Sequence, residues 1–166
     1  MLAYDVFDTS WGAFGYVAAG TTLVRSYLPD VPSPTLEGRI RDAYPGIPRV
    51  PDLLPRFEIA VRAYFDGRRV AFRTPLDLSA VTPFRRHVLL QCRRIPYGRT
   101  ASYADLACAV GRAGAGRAVG GAMAANPLPL VVPCHRVIRA DGSLGGFSST
   151  LGIDQKRRML EIEARS

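Results

Sequence analysis

The chain has 166 residues, 48% of them hydrophobic, which is enough for one compact domain or two small ones and excludes a disordered chain. It has no run of 18 apolar residues, and Met1-Leu2-Ala3-Tyr4-Asp5 lacks a basic stretch followed by an apolar one, so neither a membrane span nor a secretory signal is expected. The formal net charge of +8 lies wholly in residues 81–166, which hold 12 Arg, 1 Lys and 5 acids, whereas residues 1–80 balance 9 Arg against 9 acids. A one-sided basic half is the electrostatic footprint of a polyanion partner, most often nucleic acid.

From Ala3 to Leu28, three extended apolar runs, Tyr4–Phe7, Phe14–Val17 and Leu23–Tyr27, are separated by Ser10-Trp11-Gly12 and Gly20-Thr21 and predict a β-meander. Proline-rich spacers then flank a short helix over Thr35–Tyr44, and Pro55–Phe65 has Phe57, Val61, Tyr64 and Phe65 at helical spacing before the Asp66-Gly67 stop. Nothing in residues 1–80 carries chemistry, so that domain is assigned a structural role. In residues 81–166, Thr82 is a candidate N-cap with Pro83 at the first helical position, and Phe84, Val88, Cys92 and Ile95 mark one helix face. His87 and Cys92 lack a partner pair for a metal site, and Cys92 reads as a core thiol.

Ser102 with Asp105 has the form of a capping box, and Gly111 a stop, giving a helix of about three turns. A glycine-containing linker leads to a second helix over about Ala115–Ala125, so the pair outlines a helix-turn-helix. Gly116, Ala118, Gly120, Gly121, Ala122, Ala124 and Ala125 leave that second helix nearly without side chains. Small residues serve tight helix packing, or the entry of a smooth helix into a minor groove with Arg117 as a wedge into the space of a displaced base. Asn126-Pro127 ends the helix, and Val131-Val132 before Pro133 reads as a short buried strand delivering Cys134 at its end.

A free thiol is mostly protonated near neutrality and needs a base or a positive field to act as nucleophile. Such a cysteine is more often an inert core thiol, but Cys134-His135-Arg136 places two further ionisable groups beside it, which is a poor core sequence. His135 is expected to act through a bridging water, with Arg136 adding positive potential or packing. Asp141–Ser149 is a glycine-rich loop with one aromatic, able to offer a stacking face and backbone donors. The last helix, about Ile153–Ala164, carries the apolar residues Ile153, Met159, Leu160 and Ile162, and Glu163 falls on the apolar side, where a lone carboxylate is costly, so it needs a partner. His135 is the best candidate, by the logic of a nucleophile, base and orienting acid.

Pro133-Cys134-His135-Arg136-Val137 preceded by Asn126-Pro127 resembles the active-site signature of the O6-alkylguanine-DNA alkyltransferases, also called methylated-DNA–protein-cysteine methyltransferases. Ile95-Pro96-Tyr97-Gly98, Ser102-Tyr103, Arg117-Ala118-Val119-Gly120 and the final glutamate resemble that family in order, over Pro83–Glu163. The resemblance implies an α/β (α+β) protein with a small ribonuclease-H-like sheet domain, residues 1–80, and a mostly helical domain with the helix-turn-helix, residues 81–166. It implies Cys134 as alkyl acceptor, His135 as water-mediated base, Glu163 as its orienting carboxylate and Asn126 as a loop-fixing residue. Tyr103 would meet the 3′ phosphate and protonate the leaving guanine, and Arg117 would be the intercalating finger, on a surface shared with Ala118, Gly121 and Ala122. Val137, Phe147, Ser148, Ser149, Pro129 and Met123 would form the pocket, with base reading by backbone groups that include the carbonyls of Cys134 and Val137.

Phe147 stands where the family usually has tyrosine and Ser149 where it often has glycine, so pocket width is open. No zinc and no other cofactor is expected, because the first cysteine is Cys92 and no Cys-x-x-Cys pair occurs. The three cysteines fit a reducing, cytoplasmic setting. The expected function is direct reversal of damage by a monomer on double-stranded DNA, through the minor groove with the base flipped out. Two rivals stand against it: a binding-only helix-turn-helix protein for alkylated DNA with an inert Cys134, and a Cys/His hydrolase or acyltransferase that ignores DNA.

Overall fold

The computed structural model describes residues 1–166, which divide into two compact units, Met1–Asp77 and Leu78–Ser166. In the first, β1 (Leu2–Thr9), β2 (Gly12–Ala19) and β3 (Thr22–Tyr27) form an antiparallel sheet in sequence order. Phe7 pairs with Phe14, and Gly12 closes the first hairpin at a φ of 122°, a value side-chain-bearing residues avoid. The strands are apolar almost without alternation because both faces are covered.

Helix α1 (Ser33–Ala43) buries Leu36 and Ile40 against Tyr4, Val6 and Val17. It approaches closely because Gly15 has no side chain: a Cβ there would lie 3.0 Å from Ile40 Cδ1. On the other face, Phe57 and Phe65 of α2 (Pro55–Phe65) pack with Phe14, and Phe57 also meets Tyr16 edge-on. The α/β class that the resemblance implies is the one observed; the finer ribonuclease-H-like designation is not carried by three antiparallel strands.

The second unit is mostly helical: α3 (Pro83–Arg93), α4 (Tyr103–Ala109), α5 (Gly116–Ala124) and α6 (Gly152–Ala164). Helices α3, α4 and α5 pack on one another, and the pair α4–α5 is the helix-turn-helix outline. Two short strands, β4 (Ala101–Ser102) and β5 (Val137–Ile138), pair in parallel. The capping box is present in full, with Ser102 Oγ accepting from the Asp105 amide and Asp105 accepting from the Ser102 amide.

Four local expectations need correction. Helix α4 has two turns rather than three, since Val110 leaves the helix and Gly111 takes a φ of 72°. The Thr82 side chain makes no capping bond, and Pro83, which lacks an N–H, starts α3 without one. Ile153 faces outward with 42% of its surface exposed, because only Gln155, Lys156, Met159 and Glu163 of α6 are buried. Val131-Val132 is not a strand: the chain makes only an isolated bridge between Pro129 and Val132, with Leu130 at a φ of 77°. Prolines on both sides deny the donors a ladder requires, so the segment is a tight turn closed by Val132 N donating to Leu128 O at 2.8 Å.

The first unit depends on a buried polar brace. Tyr16 Oη donates to Glu58 Oε1 at 2.6 Å and accepts from the Leu54 amide at 2.8 Å, joining the central strand to the start of α2. Replacing Tyr16 by Phe strands a half-buried amide and a buried carboxylate oxygen, and should lower unfolding free energy by about 1–3 kcal/mol in urea titration.

Candidate active site

Cys134, His135 and Arg136 form one 3-10 turn immediately after Pro133, and all three are buried. The loop that presents them is braced by Asn126, whose Nδ2 donates to Val132 O at 3.0 Å while its Oδ1 accepts from the Leu128 amide at 2.9 Å. The short turn aims successive side chains in different directions. Cys134 lines a cavity of about 530 Å³, whereas His135 and Arg136 point back toward α6.

There, Glu163 receives both. Its Oε2 lies 2.5 Å from His135 Nε2, and its Oε1 accepts from Arg136 Nε at 2.6 Å and from the Gly98 amide at 3.3 Å. Arg136 is further held by Nη1 donating to Ile95 O at 2.8 Å and by the Tyr97 ring, 5.6 Å from the guanidinium carbon. The segment Ile95–Gly98 thus wraps the Arg136–Glu163 pair, and Gly98 reaches it at a φ of 78°.

Burial pulls the His135 imidazole below its ordinary value, and the hydrogen bond and charge of Glu163 only partly oppose that, so the ring rests neutral. Burial would raise the Glu163 carboxyl, but the hydrogen bond from His135 and the charge of Arg136 outweigh it and hold the carboxyl below its usual range. Burial also raises the Cys134 thiol, with a hydrogen bond from Asn126 and the charge of Lys156 pulling the other way. The resting pair is a thiol beside a neutral imidazole whose Nε2 is committed to a carboxylate, so Nδ1 is the nitrogen that can exchange a proton.

The cavity brings together many of the residues singled out from sequence. Tyr103, Arg117, Met123, Phe147 and Ser148 line it with Cys134, as do the backbone-like positions Gly116, Gly120, Gly145 and Gly146. Ser148 Oγ ties the loop to α5 by donating to Ala124 O at 2.9 Å. Arg117 and Ala118 are exposed on α5 and Gly121 is half-buried, but Ala122 is 1% exposed. Helical periodicity turns Ala122 inward with Val119 and Met123, so it belongs to the packing and not to the exposed face expected of it.

Three expected pocket residues are placed elsewhere. Val137 is fully buried, and its carbonyl accepts from Lys156 Nζ at 2.6 Å. Pro129 belongs to the turn before Cys134, and Ser149, whose Oγ is buried, is not among the residues lining the cavity.

Sequence reasoning missed Lys156, the chain's single lysine. Its ammonium is buried and donates to the carbonyls of Val137, Leu144 and Gly146, at 2.6, 2.5 and 3.4 Å, so it pins the 144–146 loop against α6. Burial lowers its pKa to about 8. The signal was available: Lys156 stands three residues before Met159, on the apolar side of α6. Gly145 was also missed; at a φ of 72°, a Cβ there would lie 2.8 Å from Tyr103 Oη.

Residues 83–165 match the family described as "6-O-methylguanine DNA methyltransferase, DNA binding domain". The chain belongs to the O6-methylguanine DNA methyltransferase family. It is 46% identical over 103 residues to the methylated-DNA–protein-cysteine methyltransferase of Mycobacterium bovis, a match covering 62% of this chain and 61% of that relative. The crystal structure of Mycobacterium tuberculosis OGT in complex with DNA is similar with a TM-score of 0.84 at 33% identity, over 98% of this chain and 93% of that one. The O6-methylguanine-DNA methyltransferase from the archaeon Pyrococcus kodakaraensis gives 0.70 at 31% identity, over 98% and 99%. The aligned stretch therefore spans less than two thirds of the curated relative, while the fold likeness runs through both units.

Neutralising Glu163 as Glu163→Gln leaves the Arg136 guanidinium buried without its counter-charge. Thermal unfolding should report a loss of about 3–5 kcal/mol, the cost of breaking a buried pair from one side.

Proposed function

We propose that this protein reverses O6-alkylguanine damage directly, by one irreversible transfer of the alkyl group from double-stranded DNA to Cys134, acting as a monomer. The observation that carries the reading is the thiol at the wall of a base-sized cavity, backed by the buried His135–Glu163–Arg136 relay. The DNA bound to the Mycobacterium tuberculosis relative supports DNA as the partner. So does the surplus of arginine in the second half of the chain.

The chemistry follows from the resting protonation states. His135 takes the Sγ proton through a bridging water, and the resulting imidazolium is stabilised by Glu163. The thiolate attacks the alkyl carbon, the carbon–O6 bond breaks as the sulfur–carbon bond forms, and the electron pair stays on the guanine. Burial keeps the Tyr103 phenol above its ordinary value, so it is a neutral donor able to protonate the departing base. The product is a thioether that no neighbouring group can hydrolyse, so each molecule reacts once. Arg117, exposed at the cavity wall on the small-residue face of α5, fills the space vacated by the extruded base. Residues 1–80 serve as the structural domain and residues 81–166 as the reactive one, and a reducing cytoplasm keeps the thiol free. No helix is long and apolar enough to cross a membrane.

After incubation with an O6-methylguanine duplex, the intact protein should gain about 14 Da, located by peptide mass spectrometry on the segment containing Cys134. Cys134→Ser should gain nothing; an unmodified wild-type protein that still binds the duplex would favour the binding-only rival.

Lys156 loses its proton through about pH 8, and with it the positive field that lowers the Cys134 thiol. The transfer rate should therefore fall as pH rises through about 8, and Lys156→Met should be slow at every pH and lack that alkaline limb.

A further inference from the structure

Strands β4 and β5 run in parallel with Ala101 opposite Val137 and Ser102 opposite Ile138. One step further along each strand stand Tyr103 and Arg139, so the ladder that ends there delivers a phenol and a guanidinium side by side. Arg139 lines two depressions at once: the Cys134 cavity, and a polar one of about 350 Å³ whose walls include Thr100, Ser102, Asp105 and Gly142. It is exposed and has no carboxylate within ion-pair distance. Two acids close to it, Asp105 on the groove wall and Asp141 two residues along the chain, are hydrogen-bonded to serines. Asp105 accepts from the Ser102 amide, and Asp141 accepts from the amide and hydroxyl of Ser143 at 2.9 and 2.6 Å. The Asp141 carboxylate feels the Arg139 charge, but no carboxylate forms an ion pair with the guanidinium, which stands exposed at the divide between the Cys134 cavity and the outer groove.

We infer that Arg139 is a positioning residue that seats the DNA phosphodiester flanking the extruded nucleotide, with the outer polar groove as the track of that strand. This rests on the proposed repair function and deepens it. A base that enters the Cys134 cavity drags its own phosphates across the cavity rim, and a free guanidinium there is matched to a phosphate in charge and in donor geometry. The same charge acts on Tyr103, lowering a phenol that burial raises, so phosphate and phenol are neighbours in one electrostatic environment. The acid Asp105 on the groove wall keeps the phosphate toward the Arg139 end.

The test uses the full chain in a Cys134→Ser background, which holds an O6-methylguanine duplex unreacted. Removing one phosphate contact should reduce the slope of log affinity against log salt by about 0.9, so Arg139→Gln should bind roughly five- to tenfold more weakly at 0.1 M salt. Arg139→Lys should restore most of the slope. A duplex with one neutral methylphosphonate beside the lesion should weaken the Arg139-bearing protein to a similar extent and cause no further loss in Arg139→Gln. An unchanged slope in Arg139→Gln, or losses that add independently, would overturn the assignment. Failure of the repair function shows separately, as no mass gain on wild-type Cys134 whatever the salt slopes.

Discussion

One buried carboxylate organises the reactive half of the molecule. Glu163 holds a neutral imidazole with one oxygen and a guanidinium with the other, and both partners come from adjacent residues of a single turn. A carboxylate inside a protein is costly unless paired and hydrogen-bonded, and here Arg136 supplies the charge and Gly98 a further donor. Because Arg136 neutralises Glu163, the carboxylate can orient His135 without forcing it to be protonated. The imidazole remains a base, which is the state a resting thiol requires. Arg136 thus acts at one remove, and the wrapping by Ile95 and Tyr97 explains why a segment about 40 residues upstream in sequence belongs to the site.

A second constraint is that the cavity wall has to be thin in places and rigid in others. Gly145 leaves room for the Tyr103 hydroxyl, and the glycines and alanines of α5 leave room for what enters. Rigidity comes from Lys156, which replaces a hydrophobic anchor under the 144–146 loop with three carbonyl bonds. A lysine in that place does two jobs at once, since the charge that holds the loop also lowers the thiol.

Much of this was legible in the sequence, for identifiable physical reasons. Helix α2 was bounded correctly by Pro55 and Asp66-Gly67, and the capping box of Ser102 and Asp105 marked the start of α4. The pairing of Glu163 with His135 followed from the cost of a carboxylate on an apolar helix face. What failed was the non-local part. The ladder between β4 and β5 has two residues a side, too short for any periodicity to mark, and it joins segments more than 30 residues apart. Val131-Val132 has strand composition, yet its flanking prolines and the left-handed Leu130 make a turn. Ala122 and Ala118 are indistinguishable by size, and only the packing of α5 shows that one faces inward and the other outward.

The protonated resting state of Cys134 has a consequence for selectivity in the proposed reaction. A permanently ionised thiolate at a cavity wall would react with any small electrophile or oxidant that diffused in, and a protein that reacts once would be wasted by it. Burial raises the thiol, so the nucleophile is produced only when the proton has somewhere to go. His135 is neutral for the same reason, and each group's burial penalty falls on its charged form. The ion pair that proton transfer creates is supported against that penalty by Asn126 and Lys156 at the thiolate and by Glu163 at the imidazolium.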